Sequence, residues 1–189
     1  MVWMLVGVLA VLLVVADVLL WRTRRSQQLR AGFGPEYERA VTEHGDRGAA
    51  ESELLERRER REKLDVQELE AAARERYAER WRATQRLFVD EPARAVAEAD
   101  ELVKSVMSER GYPVEDDFER RAADISVDHP VVVDHYRAAH AISMDSTRGE
   151  VGTEDLRQAM VHFRALFTEL VGGDERRPDE ARHDVKEMS

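Results

Sequence analysis

The stretch richest in chemistry-bearing side chains is Asp124 to His140, DISVDHPVVVDHYRAAH. It holds Asp124, Asp128, Asp134, His129, His135 and His140. A zinc or iron site would need imidazoles and carboxylates converging at helical spacings such as i,i+4. Here His135 and His140 stand five apart, and the segment contains no HExxH or ExxH pair. His135, His140 and Asp134 are the metal candidates the spacing offers, but they do not make a ligand set, so no metal or cofactor is expected. His140 falls on the same side as Tyr136, where a neutral imidazole bonded to a core group is the simpler reading. His162, beside Phe163, reads the same way.

Ser126 and Ser143 flank these histidines, but the chain has no GxSxG elbow to expose a nucleophile. No GxxxxGK[ST] loop and no GxGxxG after a strand is present, so nucleotide binding lacks its phosphate cradle. No catalytic residue is assigned, and the expectation is a non-enzymatic protein. Cysteine is absent, which removes disulfides and thiolate metal sites.

These residues must be positioned by helices. No run alternates with period two over a strand's length; Val131-Val132-Val133 is the one β-leaning triplet, and Pro130 and the helical pattern after it outweigh it. The expected fold is all-α: an N-terminal transmembrane helix, a charged helical stalk and a small helical bundle. Residues 1–21, MVWMLVGVLAVLLVVADVLLW, are almost wholly apolar. At ~1.5 Å per residue they suffice for ~30 Å of hydrocarbon. No lysine or arginine precedes them. Arg22, Arg24 and Arg25 follow, and no acid lies between Val18 and Pro35. By the positive-inside rule this is a single-pass cell-membrane protein with its N-terminus outside and its C-terminal domain cytoplasmic. Trp3 and Trp21, with Arg22, Arg24 and Arg25, are the expected membrane-interface residues. A cleaved signal peptide is the rival reading, on Val14-Val15-Ala16. The missing basic n-region and the continuation of the run to Trp21 favour a retained anchor. Asp17 is expected to reach the interface.

Residues 22–64 divide into a basic connector and a stalk. Gly32-Phe33-Gly34-Pro35 should end the anchor helix. Glu36–His44 reads as a short helix with Tyr37, Ala40 and Val41 on one side and Gly45 as its stop. Asp46–Lys63 is helical in composition and poor in apolar residues, with Glu53–Arg57, Glu56–Arg60 and Glu59–Lys63 at i,i+4. This predicts a solvated stalk, with Leu54 and Leu55, or the anchor, available for self-association, so a homo-oligomer is one expectation.

Residues 65–171 are the expected bundle. Asp65 reads as a helix cap, with Leu64 and Leu69 as a staple across it. Val66, Leu69, Ala73, Tyr77, Trp81, Thr84 and Phe88 then form one face of a long helix. Pro92 opens a second helix with a Val96, Ala99, Val103, Val106, Met107 stripe, stopped by Gly111. Phe118, Ala122 and Ile125 mark a short third helix. Asp128-His129-Pro130 should begin the fourth, and Thr153 should cap the last, with Leu156, Met160, Phe163, Leu166, Phe167 and Leu170 inward. Residues 172–189 read as a charged, disordered tail.

Formal charges are +1 for residues 1–64, −9 for 65–171 and −2 for 172–189, which sum to the net −10. An acidic domain repels phosphate backbones, so nucleic acid is not an expected partner. The expected partners are the lipid bilayer, through residues 1–21, and a protein. Small-ligand or metal sensing through His129–His140 is the alternative.

The stretches LRAGFGPEYERAV, RERYAERWRATQRLFVDEPARAVAEADELVKSVMSERGYP, RAADISVDHPVVVDHYRAAH and TEDLRQAMVHFRALFTEL resemble a group of actinobacterial single-pass membrane proteins. The likeness spans most of residues 29–171. It implies a membrane anchor with a helical cytoplasmic domain, and it brings no activity or catalytic residue.

Overall fold

The computed structural model describes residues 2–115 and 117–172; for residues 2–12, 14–15, 18–19 and 22 it describes the backbone alone. Among the described residues there are eight α-helices and no strand, so the chain is all-α. They are α1 (Val2–Phe33), α2 (Pro35–His44), α3 (Arg47–Glu62), α4 (Ala71–Asp90), α5 (Pro92–Arg110), α6 (Phe118–Asp128), α7 (Val133–Thr147) and α8 (Thr153–Gly172).

The apolar run does not end before a separate connector. α1 continues through the arginines and Gly32 to Phe33, because Leu29 and Phe33 are buried against later helices and hold its last turns. Gly34 then reverses the chain at φ +49°, a conformation that glycine alone adopts readily. Among the described residues no helix is long and apolar enough to cross a membrane. Most side chains of the expected anchor lie outside those residues, as does the expected tail from 173 onward.

Two apolar cores follow. The smaller joins Leu29 and Phe33 of α1, Tyr37 and Ala40 of α2, and Ala50 and Leu54 of α3. The solvated stalk is therefore corrected: α3 packs on α2 and α6, and Leu54 is fully buried. Leu54 cannot pair two copies without unpacking its own chain. The larger core centres on α5, which packs against α4, α7 and α8. Its stripe of Val96, Ala99, Val103, Val106 and Met107 is buried, together with Tyr77, Trp81, Tyr136, Phe163 and Phe167. Trp81 stacks on Phe167 with ring centroids 4.8 Å apart.

Three expected helix starts are corrected. Residues 65–70 are not helical, and α4 begins at Ala71. The reason is tertiary: the Gln67 N–H donates to the Arg110 carbonyl at 2.8 Å, which draws this segment across the end of α5. Gly111, at φ +95°, permits the approach, since a Cβ there would lie 2.3 Å from the Asp65 carbonyl oxygen. Asp128 ends α6 rather than opening the next helix. The His129 N–H still donates to the Ile125 carbonyl, and α7 starts only at Val133. Thr153 is in the first turn of α8 rather than capping it. Asp155 reaches back to accept from the Gly152 N–H at 3.0 Å.

Candidate functional site: the ionic junction between the N-terminal helices and the bundle

The most built polar site lies where α2 and α3 meet α6 and α7. Glu36 follows Pro35 in the first turn of α2 and shares a face with Tyr37 and Ala40, so its carboxylate is carried into the packed side and is 1% exposed. Arg57 lies one turn beyond Leu54 on the inward face of α3 and is also buried. Its Nη1 donates to Glu36 Oε2 at 3.2 Å and to Ser126 Oγ of α6 at 3.2 Å. Arg137 of α7 clamps the same carboxylate from the other side, with Nη2 to Oε2 at 2.9 Å and Nη1 to Oε1. One carboxylate thus joins three helices through two guanidinium groups, the arrangement in which a buried charge is tolerated. Burial works against the Arg137 charge; Glu36 outweighs it, and the guanidinium is held above its ordinary value.

The junction continues along α3. The Arg60 Nε lies 3.6 Å from Asp124 Oδ1. Arg61 donates to Asp128, which also accepts from the Tyr112 hydroxyl. Next in the chain, His129 accepts from Arg110 Nη1 at Nε2 (3.3 Å), and its Nδ1 faces Glu169 Oε1 at 3.4 Å. Because a guanidinium only donates, Nε2 is the acceptor and Nδ1 carries the proton. Burial first, and then Arg110, pushes His129 below the ordinary histidine value, against the pull of Glu169. Arg110 also donates to the carbonyls of Gln67 and Leu170, so it ties the 65–70 segment to the end of α8.

A second polar knot lies nearer the apolar run. The Tyr37 hydroxyl donates to Glu51 at 2.8 Å and accepts from Arg47 Nε at 2.8 Å, while Arg47 also reaches Ser26 of α1. Burial raises the Glu51 carboxyl, but hydrogen bonds from Ser26, Tyr37 and Arg47 together bring it below the usual carboxylate value.

The sequence candidates are dispersed. Asp134 is exposed and pairs with Arg137 at 3.2 Å. His140 stacks on Phe118, with ring centroids 3.7 Å apart, and burial lowers its pKa. His135 does not meet His140; its Nδ1 lies 2.8 Å from that of His162. Among the described residues no group of three or more His, Cys, Asp or Glu is placed to hold a metal. At the expected interface, Trp21 is 59% exposed, with the Arg25 guanidinium 5.2 Å over its ring, and Arg24 is exposed. Asp17 is exposed, and the side chains of Trp3 and Arg22 lie outside the described residues. Among the described residues, the surface depressions around Arg137 and His140, around Tyr77, and between Ala71 and Gly172 are open grooves. One of ≈ 520 Å³ is lined by Arg39, Phe118, Arg137 and His140 among others.

Sequence reasoning missed Glu36, Arg137 and Arg110, and it read His162 as a core imidazole without its partner His135. The available signal was a charged residue on an apolar stripe: Glu36 is four before Ala40, and Arg57 is three after Leu54. Arg57 was legible only as the partner of Glu53, a pair that is present. Comparisons with protein-family models, curated proteins and solved structures return no match.

Proposed function

We propose that the chain is a membrane-anchored, non-enzymatic helical module that binds and positions a protein partner at the cytoplasmic face of a cell membrane. Residues 1–21 are its single-pass anchor, with the N-terminus outside. Arg22, Arg24, Arg25, Trp3 and Trp21 hold the interface. The reading also takes up the resemblance to anchored actinobacterial proteins.

The observation that carries it is the continuity of α1. A single helix passes from the apolar run into the buried contacts of Ser26, Leu29 and Phe33. α2 and α3 pack on that helix and are then clamped to the bundle by Glu36, Arg57 and Arg137. A flexible linker would leave a tethered domain free to reorient. A packed connection instead gives the domain a set orientation relative to the anchor, which suits presentation of a surface to a neighbour. The open grooves and the acidic surface favour a protein partner over a small enclosed ligand or a nucleic acid.

The test has two parts. The full chain should stay with membranes through an alkaline wash, and deletion of residues 2–21 should release it. Photocrosslinkers at exposed bundle positions such as Val89, Val131 and Val161 should then trap one protein species in membranes. A full chain found in the soluble fraction overturns the anchor, and crosslinking to lipid alone overturns the partner.

A further inference from the structure

Away from the junction, α7 and α8 bring two imidazoles edge to edge. The Nδ1 atoms of His135 and His162 are 2.8 Å apart, with ring centroids at 5.1 Å and planes inclined by 35°. Both residues are half-buried, so water reaches the pair. As it stands, one neutral ring donates its Nδ1–H and the other accepts.

The same two atoms are nearly placed for a shared metal ion. Zinc binds imidazole nitrogen at ~2.0–2.1 Å, and a tetrahedral angle then sets the two nitrogens about 3.3 Å apart. Reaching it takes an opening of about 0.5 Å and a turn of each ring by about 35°, so that the two lone pairs converge on one ion beside the N–N axis; half-exposed rings can make both changes by torsion. No net proton is lost: the donating ring moves its Nδ1 proton to the outward Nε2 through solvent, and both Nδ1 lone pairs turn to the ion.

We propose that His135 and His162 form a two-imidazole site for a divalent transition ion of the zinc and copper class, with water completing the coordination. The donor set decides the class. Asp134, the carboxylate adjacent in sequence, is engaged by Arg137, and no third ligand converges among the described residues. Calcium and magnesium require oxygen ligands, so this pair does not suit them. Imidazole with water suits zinc and copper. An ion here would cross-link α7 to α8, and its open positions would leave it exchangeable. This site is independent of the proposed anchoring and partner binding.

The test uses the full chain, without an affinity tag, in detergent micelles. Zinc is titrated calorimetrically and histidine nitrogens are followed by NMR. One saturable zinc per chain in the micromolar range is expected, with the Nδ1 signals of His135 and His162 shifting together. His135→Asn and His162→Asn should each weaken binding at least tenfold, while His140→Asn leaves it unchanged. The proposal is overturned if zinc does not saturate, if the two Nδ1 signals stay in place, or if His140→Asn weakens binding as much as the paired variants. The NMR result stands on the wild-type chain alone, so a variant that fails to fold does not remove the test.

Discussion

Replacing Glu36 by alanine removes the carboxylate shared by Arg57 and Arg137 and leaves two guanidinium groups facing each other in a buried space. Removing one partner of a buried ion pair costs ~3–5 kcal/mol. Here the cost is reduced, because Arg57 keeps Glu53 and Arg137, 12% exposed at its side chain, keeps Asp134. The expected loss is therefore about 2–3 kcal/mol. For a domain of this size each kcal/mol lowers Tm by ~2–4 °C, so the fall should be about 4–12 °C. Glu36→Gln should lose roughly half as much, since the amide oxygen still accepts one hydrogen bond. The assay is thermal and urea unfolding of the full chain in micelles, followed by circular dichroism. Adding Arg137→Met in the wild-type and Glu36→Ala backgrounds completes a double-mutant cycle. The coupling between the two positions should be on the order of 1–2 kcal/mol. A Glu36→Ala loss under about 0.5 kcal/mol, or a coupling near zero, would refute the tie of α2 to α3 and α7 through this carboxylate.

Leu54→Ala should cost about 2–5 kcal/mol in urea unfolding, because the side chain is fully buried, whereas Val89→Ala, at a position 82% exposed, should stay within about 0.5 kcal/mol. A solvated α3 would make the two alike. Gly111→Ala should lower Tm more than Gly34→Ala. Both carry a positive-φ penalty of ~1 kcal/mol, but only Gly111 adds a contact with the Asp65 carbonyl oxygen at 2.3 Å. His129, His140 and His162 are all held below the ordinary value of 6.5, so the unfolded chain binds protons first as pH falls. Their contribution to stability is full above about pH 6.5 and is lost as pH falls from there toward their folded pKa values. Tm measured from pH 7.5 to 5 should decline. His129→Gln should flatten that slope, and an unchanged slope would count against its burial beside Arg110.

What the sequence determined by itself was the helical class and most of the larger core. The stripes in α5 and α8, the part of the α4 stripe from Ala73 onward, the Pro92 start and the Gly45 and Gly111 stops are local rules of periodicity and capping, and each is met where it was read. Only the tertiary structure decided the rest. Asp65 had every local feature of a cap, yet the Gln67–Arg110 backbone bond and the close approach at Gly111 hold that segment out of the helix. The 46–63 stretch was charged enough to read as solvated, because composition cannot tell which charges a distant helix will neutralise. Arg57 is buried because Glu36 lies 21 residues before it and Ser126 lies 69 after it. The sequence offered His135 only alongside the nearby His140, at a spacing that makes no ligand set. The partner of His135 is His162, 27 residues on, because the return of the chain from α7 into α8 sets which rings meet. Helix periodicity is written in neighbouring residues. The pairing of charges and imidazoles across helices depends on how the helices dock, and no spacing within one helix encodes that.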